Sequence, residues 1–219
     1  ENITIGSNVE DIDPNAFYSC KAIKTFYGKY ATTDGRALIK DDKVILYAKA
    51  SGSEYTIPNG VTSIGNRAFE YATLASITIP ESITSIEEYA FNYCSNLKKV
   101  YINAIFPPML GYNAFSSNAS GRRFYVYDEA VNIYKKQWSG FSSDIYGNGS
   151  YDEETTTIYY TTTDGNIINS DYLSIKENTY TDDQGKMVVC GKLDILPDHV
   201  FSSKNTLASI TIPEGVTSI

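Results

Sequence analysis

The side chains able to do chemistry are few, and their spacing does not assemble a reactive site. The single histidine, His199, precedes Val200-Phe201 at a position where comparable stretches carry Asn15, Arg67 and Tyr89. A Ser/His/acid triad needs that imidazole held between two partners, and nothing in the sequence supplies them. His199 therefore reads as a surface turn residue. Cys20, Cys94 and Cys190 make neither a disulfide framework nor the Cys/His spacing of a zinc site. Cys20 and Cys94 fall where Ala72 stands in a comparable stretch, so both read as small buried hydrophobes, and Cys190 reads as an inert strand-end residue. Calcium loops alternate oxygen ligands around a glycine. Asp41-Asp42, Asp152-Glu153-Glu154 and Asp182-Asp183 lack that pattern and read as solvated turn acids. Gly60, Gly65 and Gly215 read as turn glycines, outside any phosphate-binding pattern. The expectation is a chain with no enzymatic activity, no cofactor and no metal site.

What stands out instead is tyrosine, with 19 copies against 9 Phe and a single Trp. Tyrosine offers amphipathic contact area at low entropy cost. Leu74-Ala75-Ser76-Ile77-Thr78-Ile79 alternates like a half-buried strand. If Leu74, Ile77 and Ile79 point inward, Ser76 and Thr78 point outward. The equivalent outward positions elsewhere are Thr25 and Tyr27, Lys99 and Tyr101, and Ser209 and Thr211. These eight residues form the candidate binding face.

The equivalence rests on a repeat. Ile57-Pro58-Asn59-Gly60-Val61-Thr62-Ser63-Ile64 recurs as Ile79-Pro80-Glu81-Ser82-Ile83-Thr84-Ser85-Ile86 and as Ile212-Pro213-Glu214-Gly215-Val216-Thr217-Ser218-Ile219. Ile57 to Ile79 and Phe69 to Phe91 are both 22 residues, and Ile79 to Ile102 is 23. The same frame fits Ile3 to Phe26 and, less regularly, Val189 to Ile212. A period in the low twenties is the mark of a solenoid whose coils bury their apolar edges by stacking. Each unit then has a strand ended by Pro80 or its equivalent. A short second strand or turn follows at Val61–Ile64, then a helical turn at Gly65–Phe69 with Ala68 and Phe69 inward. Phe17, Phe69, Phe91, Phe115 and Phe201 should line the interior.

These motifs resemble the BspA-like class of bacterial leucine-rich repeats. They are Ala68-Phe69, Ala90-Phe91-Asn92-Tyr93-Cys94, Leu74-Ala75-Ser76-Ile77-Thr78-Ile79-Pro80 and Val61-Thr62-Ser63-Ile64-Gly65. The resemblance implies a curved, right-handed leucine-rich-repeat solenoid, mainly β with parallel strands and short helical turns. It also implies an extracellular or outer-cell-surface location and no catalysis.

Two kinds of segment interrupt the array. Residues 29–54 read as a β-hairpin excursion, with Asp34-Gly35 as a type I′ turn signal, and Asp164-Gly165 repeats the device. A strand at Phe124–Tyr127 is followed by Asp128–Trp138 with helical spacing. Asp128 suits the N-cap, and Lys135-Lys136 suit the last turn. Residues 124–146 thus read as a strand-helix cap on a first array spanning 1–147, with Trp138 partly buried. Residues 148–156 read as a linker, and 157–219 as the start of a second, truncated array. Both ends fall inside repeat units, which points to a segment of a longer protein.

Net charge is −8 and the basic residues are scattered, so nucleic acid is not an expected partner. No stretch approaches the ~18 apolar residues of a membrane span. The favoured reading is a non-catalytic cell-surface or secreted adhesion module that binds a host or cell-surface protein or glycan. The alternatives are a structural spacer presenting other domains and a carbohydrate-binding accessory module.

Overall fold

A computed structural model describes the whole chain except residues 19, 150–154, 171, 172, 174, 191, 192, 194, 195, 197–199, 215 and 219. His199, Asp152-Glu153-Glu154, Gly215, Ile219 and the middle of the expected linker therefore lie outside the described residues. The chain divides into two compact units, Glu1–Ala104 with Pro108–Tyr125, and Ile105–Pro107 with Val126–Ile219.

The strands of the first unit are β1 (Asn2–Ile5), β2 (Thr25–Gly28), β3 (Ala37–Lys40), β4 (Lys43–Tyr47), β5 (Glu54–Thr56), β6 (Ser63–Ile64), β7 (Ser76–Ile79), β8 (Ser85–Ile86), β9 (Lys99–Ile102), β10 (Met109–Leu110) and β11 (Arg123–Val126). Strands one repeat apart pair in parallel: Tyr55 with Ile77, Ile77 with Val100, and Phe124 with Val100. β5, β7, β9 and β11 thus lie side by side in that order. The second position of each repeat is also a strand. Ser63 pairs with Ser85, and Ser85 with Met109, in a five-stranded sheet ordered β10-β8-β6-β4-β3.

The expected helical turn is replaced by a third ladder. Arg67, Phe69 and Tyr71 N–H groups donate to the Glu88, Ala90 and Asn92 carbonyls at 3.1, 2.8 and 3.0 Å. Tyr89, Phe91 and Tyr93 do the same to Tyr112, Ala114 and Ser116 at 3.0, 2.8 and 3.0 Å. A helix would turn these groups back on itself. Instead, left-handed residues flank each Phe: Arg67 and Tyr71, Tyr89 and Tyr93, Asn113 and Ser117. They aim alternate N–H groups at the next repeat, and Ala68, Phe69, Ala90 and Phe91 still point inward and are fully buried.

The interior column differs from expectation at its ends. Phe69, Phe91 and Phe115 stack at 4.8 and 4.9 Å, but the ring before Phe69 is Tyr47, at 4.8 Å. Phe17 is only half-buried and meets Phe26 edge-on at 6.4 Å. The hairpin therefore does not leave the array throughout. β4 pairs in parallel with β6, and the Tyr47 N–H donates to the Ala68 carbonyl at 2.8 Å, the bond Phe69 makes one repeat later. The β3–β4 loop is Asp41-Asp42, both left-handed with φ of 50° and 55°. That is the type I′ requirement, and Asp tolerates it. Asp34-Gly35 does not join two strands; only a single bridge, Ala31 to Leu38, lies beyond it.

Cys20 is exposed, against expectation, as is Ala16 beside its half-buried Phe17. This first turn closes on itself through the Tyr18 N–H to Asn15 carbonyl and Cys20 N–H to Phe17 carbonyl bonds, both 3.0 Å. It meets the next repeat through the buried Lys49, whose ammonium donates to the Phe17 and Tyr18 carbonyls at 3.1 and 2.8 Å. Cys94 is buried as expected, its Sγ 3.0 Å from the Phe69 carbonyl, and burial pushes its thiol up to about 12. Cys190 is buried and shifted upward for the same reason. The thiolate is the reactive form. In native protein a maleimide should label Cys20 alone, with Cys94 and Cys190 labelling only in denaturant, as peptide mapping would read.

In the second unit, a 3₁₀ turn at Asp128–Ala130 leads into α1 (Val131–Gln137). Asp128 is not the N-cap. It sits inside the turn, and its carboxylate accepts from the Gly149 N–H at 3.3 Å. Lys135 and Lys136 occupy the last turn of α1 as expected. Trp138 is 5% exposed, deeper than expected, and packs edge-on against the buried Tyr134 at 5.1 Å.

After the short β12 (Ile145–Gly147) come β13 (Thr155–Thr162), β14 (Ile175–Thr181), β15 (Gln184–Cys190) and β16 (Leu207–Thr211). The last four form an antiparallel sheet ordered β14-β15-β13-β16. Parallel strands expected of a second array start are not among these four. The Leu196 N–H does donate to the Ser218 carbonyl, 22 residues on, at 3.0 Å. The hairpin loop is again an Asp pair, Asp182-Asp183, both left-handed; Asp164-Gly165 is not a hairpin loop. Tyr160, Met187, Val189, Leu193 and Leu196 form the core, with Phe201 half-buried against it.

Candidate interaction surface

The alternation along β7 and β9 divides each strand cleanly. Ile77, Ile79, Val100 and Ile102 are buried, while Ser76, Thr78 and Tyr101 are half-buried and Lys99 is exposed. Parallel pairing with no slip sets these outward residues in two rows across the strands. One row is Glu54, Ser76, Lys99 and Arg123; the other is Thr56, Thr78, Tyr101 and Tyr125. Adjacent strands lie ~4.8 Å apart, so neighbours in a row touch. Tyr101 and Tyr125 stack at 5.1 Å with planes 20° apart.

Four of the eight expected residues, Ser76, Thr78, Lys99 and Tyr101, are therefore adjacent. Thr25 and Tyr27 lie on β2, which pairs with β1 in a separate two-stranded sheet, opposite Asn2 and Thr4. Tyr27 is 51% exposed and Thr25 half-buried. Ser209 and Thr211 belong to the second unit. There they pair antiparallel with Thr161 and Tyr159, and the Ser209 hydroxyl lies 2.7 Å from that of Thr161.

Sequence reasoning missed Glu54, Thr56, Arg123 and Tyr125. The signal for the last two was present, since Arg123-Phe124-Tyr125-Val126 alternates in the frame of Lys99–Ile102, one residue further on than the usual period. It also missed a tyrosine group on the turns. Tyr71 and Tyr93 stack at 5.0 Å with planes 6° apart, Tyr18 meets Tyr71 edge-on at 5.9 Å, and Tyr89 meets Tyr112 edge-on at 5.7 Å. Cations rest on these rings: Lys21 is 3.9 Å from the Tyr71 centroid, and Arg67 is 4.5 Å from that of Tyr89. The hydrogen bond with Tyr18 and partial desolvation push the Tyr71 phenol up to about 12.

Arg67 also donates to both carboxylate oxygens of the buried Glu70 at 3.0 and 2.9 Å, and Glu70 accepts from the Asn92 amide at 2.9 Å. Glu70 is thus consumed in holding two repeats together. Among the described residues, no three His, Cys, Asp or Glu side chains converge as a metal site would require. The arrangement offers hydroxyls, cations and aromatic edges on a rigid backbone, which suits recognition of another surface.

The family model described as "BspA type Leucine rich repeat region" matches in six copies over residues 1–34, 45–145 and 154–219. The second span takes in Tyr47, in agreement with its place in the ring column. No curated protein matches the chain. One solved structure that matches is a leucine-rich repeat protein from Eubacterium ventriosum, at 18% identity and a TM-score of 0.37. The match covers 57% of this chain and 41% of that one, so the chain spans less than half the length of that protein.

Proposed function

This chain belongs to the BspA-type leucine-rich-repeat family, and from that premise we propose a non-catalytic, solenoid-type interaction module of a secreted or cell-surface protein. Its partner is a protein surface, recognised across β5, β7, β9 and β11. The observation that carries this reading is the pair of in-register rows, with Tyr101 and Tyr125 stacked beside Lys99 and Arg123. Aromatic residues and Arg are the side chains that anchor interfaces. The Ser76, Thr78 and Thr56 side chains alongside are short enough to let a partner approach the backbone. Thr25 and Tyr27, and Ser209 and Thr211, extend the proposed contact. The surface location is supported by the family likeness, and among the described residues no helix is long and apolar enough to cross a membrane.

The test is an array of matrix and cell-surface proteins and glycans, probed with wild type and Tyr101→Ala/Tyr125→Ala. Against a protein that wild type binds, the double variant should lose about tenfold or more in affinity, as hot-spot truncations do. Full retention would move the site off this face. Failure of wild type to bind any member of the array would favour a spacer that presents other domains, for which the repetitive architecture is the supporting feature.

A further inference from the structure

The tyrosine column on the turns stops one ring early. Tyr71, Tyr93 and Ser117 occupy the same rung of successive repeats. Their φ values are 62°, 54° and 54°, and the Tyr71 and Tyr93 N–H groups donate to the Asn92 and Ser116 carbonyls, each at 3.0 Å. Their side chains therefore leave the backbone in the same direction. The interior column continues unbroken through this repeat, with Phe91 and Phe115 4.9 Å apart and 4° from parallel. Outside, Tyr93 stacks on Tyr71, and the next position holds only the exposed hydroxymethyl of Ser117. Tyr93 is 49% exposed. The result is a notch about one ring thick, with an aromatic face as its wall and a serine as its floor.

The chain around the notch is uncharged. Residues 92–97 and 113–121 contain Ser, Asn, Ala, Gly, Tyr, Cys, Leu and Phe and no ionisable acid or base, in a protein of net charge −8. Ser95, Asn96, Ser117 and Ser120 are exposed there. An aromatic face flanked by hydroxyl and amide groups matches a ligand with a flat C–H surface and hydroxyls at its rim. We propose that the Tyr93–Ser117 notch binds one ring of an uncharged saccharide. The pyranose takes the place of the missing tyrosine, its C–H face on Tyr93 and its hydroxyls toward the serine and asparagine side chains. An aromatic side chain from a protein would fill the thickness but leave those polar groups without partners, so the sugar is favoured. The notch is separate from the sheet face proposed above and does not depend on it.

The experiment uses the whole chain with neutral oligosaccharides of glucose, mannose and N-acetylglucosamine at millimolar concentration. Saturation-transfer NMR reads ring C–H contact, and the tyrosine ring resonances report the site. Contact concentrated on the C–H protons of one sugar ring is expected, with a shift of the Tyr93 resonances. Tyr93→Ala should weaken binding about tenfold or more, while Tyr93→Trp should retain it. Ser117→Tyr completes the column and should abolish binding with the thermal midpoint held or raised, since Tyr93 already shows that Tyr tolerates this backbone conformation. Tyr101→Ala should change nothing, which keeps this test apart from that of the sheet face. Transfer to none of the sugars, or binding indifferent to both Tyr93→Ala and Ser117→Tyr, would overturn the proposal. So would a Trp- or Tyr-containing tripeptide that shifts Tyr93 where the sugars do not.

Discussion

Phe91→Ala is expected to destabilise the first unit by roughly 3–5 kcal/mol, the range for removing a fully buried Phe. Its ring lies between Phe69 at 4.8 Å and Phe115 at 4.9 Å, and none of it is exposed. The cavity left behind has little means of collapsing. The flanking rings are fixed by the backbone ladder through Phe69 and Ala90 and through Phe91 and Ala114, each bond 2.8 Å. The Asn118 amide, which donates to the Phe91 carbonyl at 2.7 Å, holds the same turn from the other side. Phe17→Ala serves as the comparison. That ring is half-buried and outside the stack, so its loss should cost about half as much or less. Urea titrations of the two variants and wild type measure the difference. Equal midpoints for Phe91→Ala and wild type would refute the stacked register.

The register was legible because each unit repeats both a period-2 strand and an inward Phe. Ile57, Ile79 and Ile102, with Phe69 and Phe91, fix the frame at both ends of the unit. The same reasoning failed where the slot was filled by different chemistry. Tyr47 follows Leu46 and precedes Ala48-Lys49, so nothing in its neighbours repeats the Ala-Phe phrase. Only the parallel pairing of β4 with β6 reveals that it takes the ring position. The hairpin loops show a related limit. Asp-Gly is the stronger local signal for a type I′ turn. The strands that pair, however, are Ala37–Lys40 with Lys43–Tyr47, and their connection has room only for Asp41-Asp42. Cross-strand pairing selected the turn over local preference, and it did so again at Asp182-Asp183.

The sheet face was legible at its centre and lost at its edges. Ser76, Thr78, Lys99 and Tyr101 follow from alternation plus the repeat, both of which the sequence carries. Tyr125 required knowing that Phe106-Pro107-Pro108 and the turn at Ala114-Phe115 still deliver the chain to a neighbouring strand. The tyrosine group on the turns was invisible for another reason. A strand pattern says nothing about residues in left-handed positions, and Tyr71, Tyr89 and Tyr93 all occupy them. Their side chains meet because a backbone ladder stacks the turns, and that ladder has no hydropathy signature.

Gly28→Ala should be comparably damaging, although no motif marks the residue. Gly28 ends β2 with φ of 84°. A side chain in this left-handed region costs about 1–3 kcal/mol in strain. Here the added Cβ would also overlap the Ile5 carbonyl oxygen of β1, the strand with which Gly28 pairs. That oxygen accepts the Lys29 N–H at 3.0 Å, so β1 cannot back away without giving up the bond and shifting the buried Ile5. Forcing backbone apart in a packed site adds about 1–3 kcal/mol, for a combined loss on the order of 2–6 kcal/mol. Two other glycines separate the contributions. Gly121 has φ of 74° but open space around a Cβ, so Gly121→Ala should show the strain alone. Gly6 has neither a positive φ nor a nearby atom, so Gly6→Ala should be neutral or stabilise by about 0.4–1 kcal/mol through the unfolded chain. Denaturant midpoints should therefore fall in the order Gly6→Ala, Gly121→Ala, Gly28→Ala. Hydrogen exchange in Gly28→Ala should show the Asn2–Ile5 amides losing protection before those of β7 and β9. If Gly28→Ala matched Gly121→Ala in both measurements, the close approach of β1 to β2 at Ile5 would be wrong.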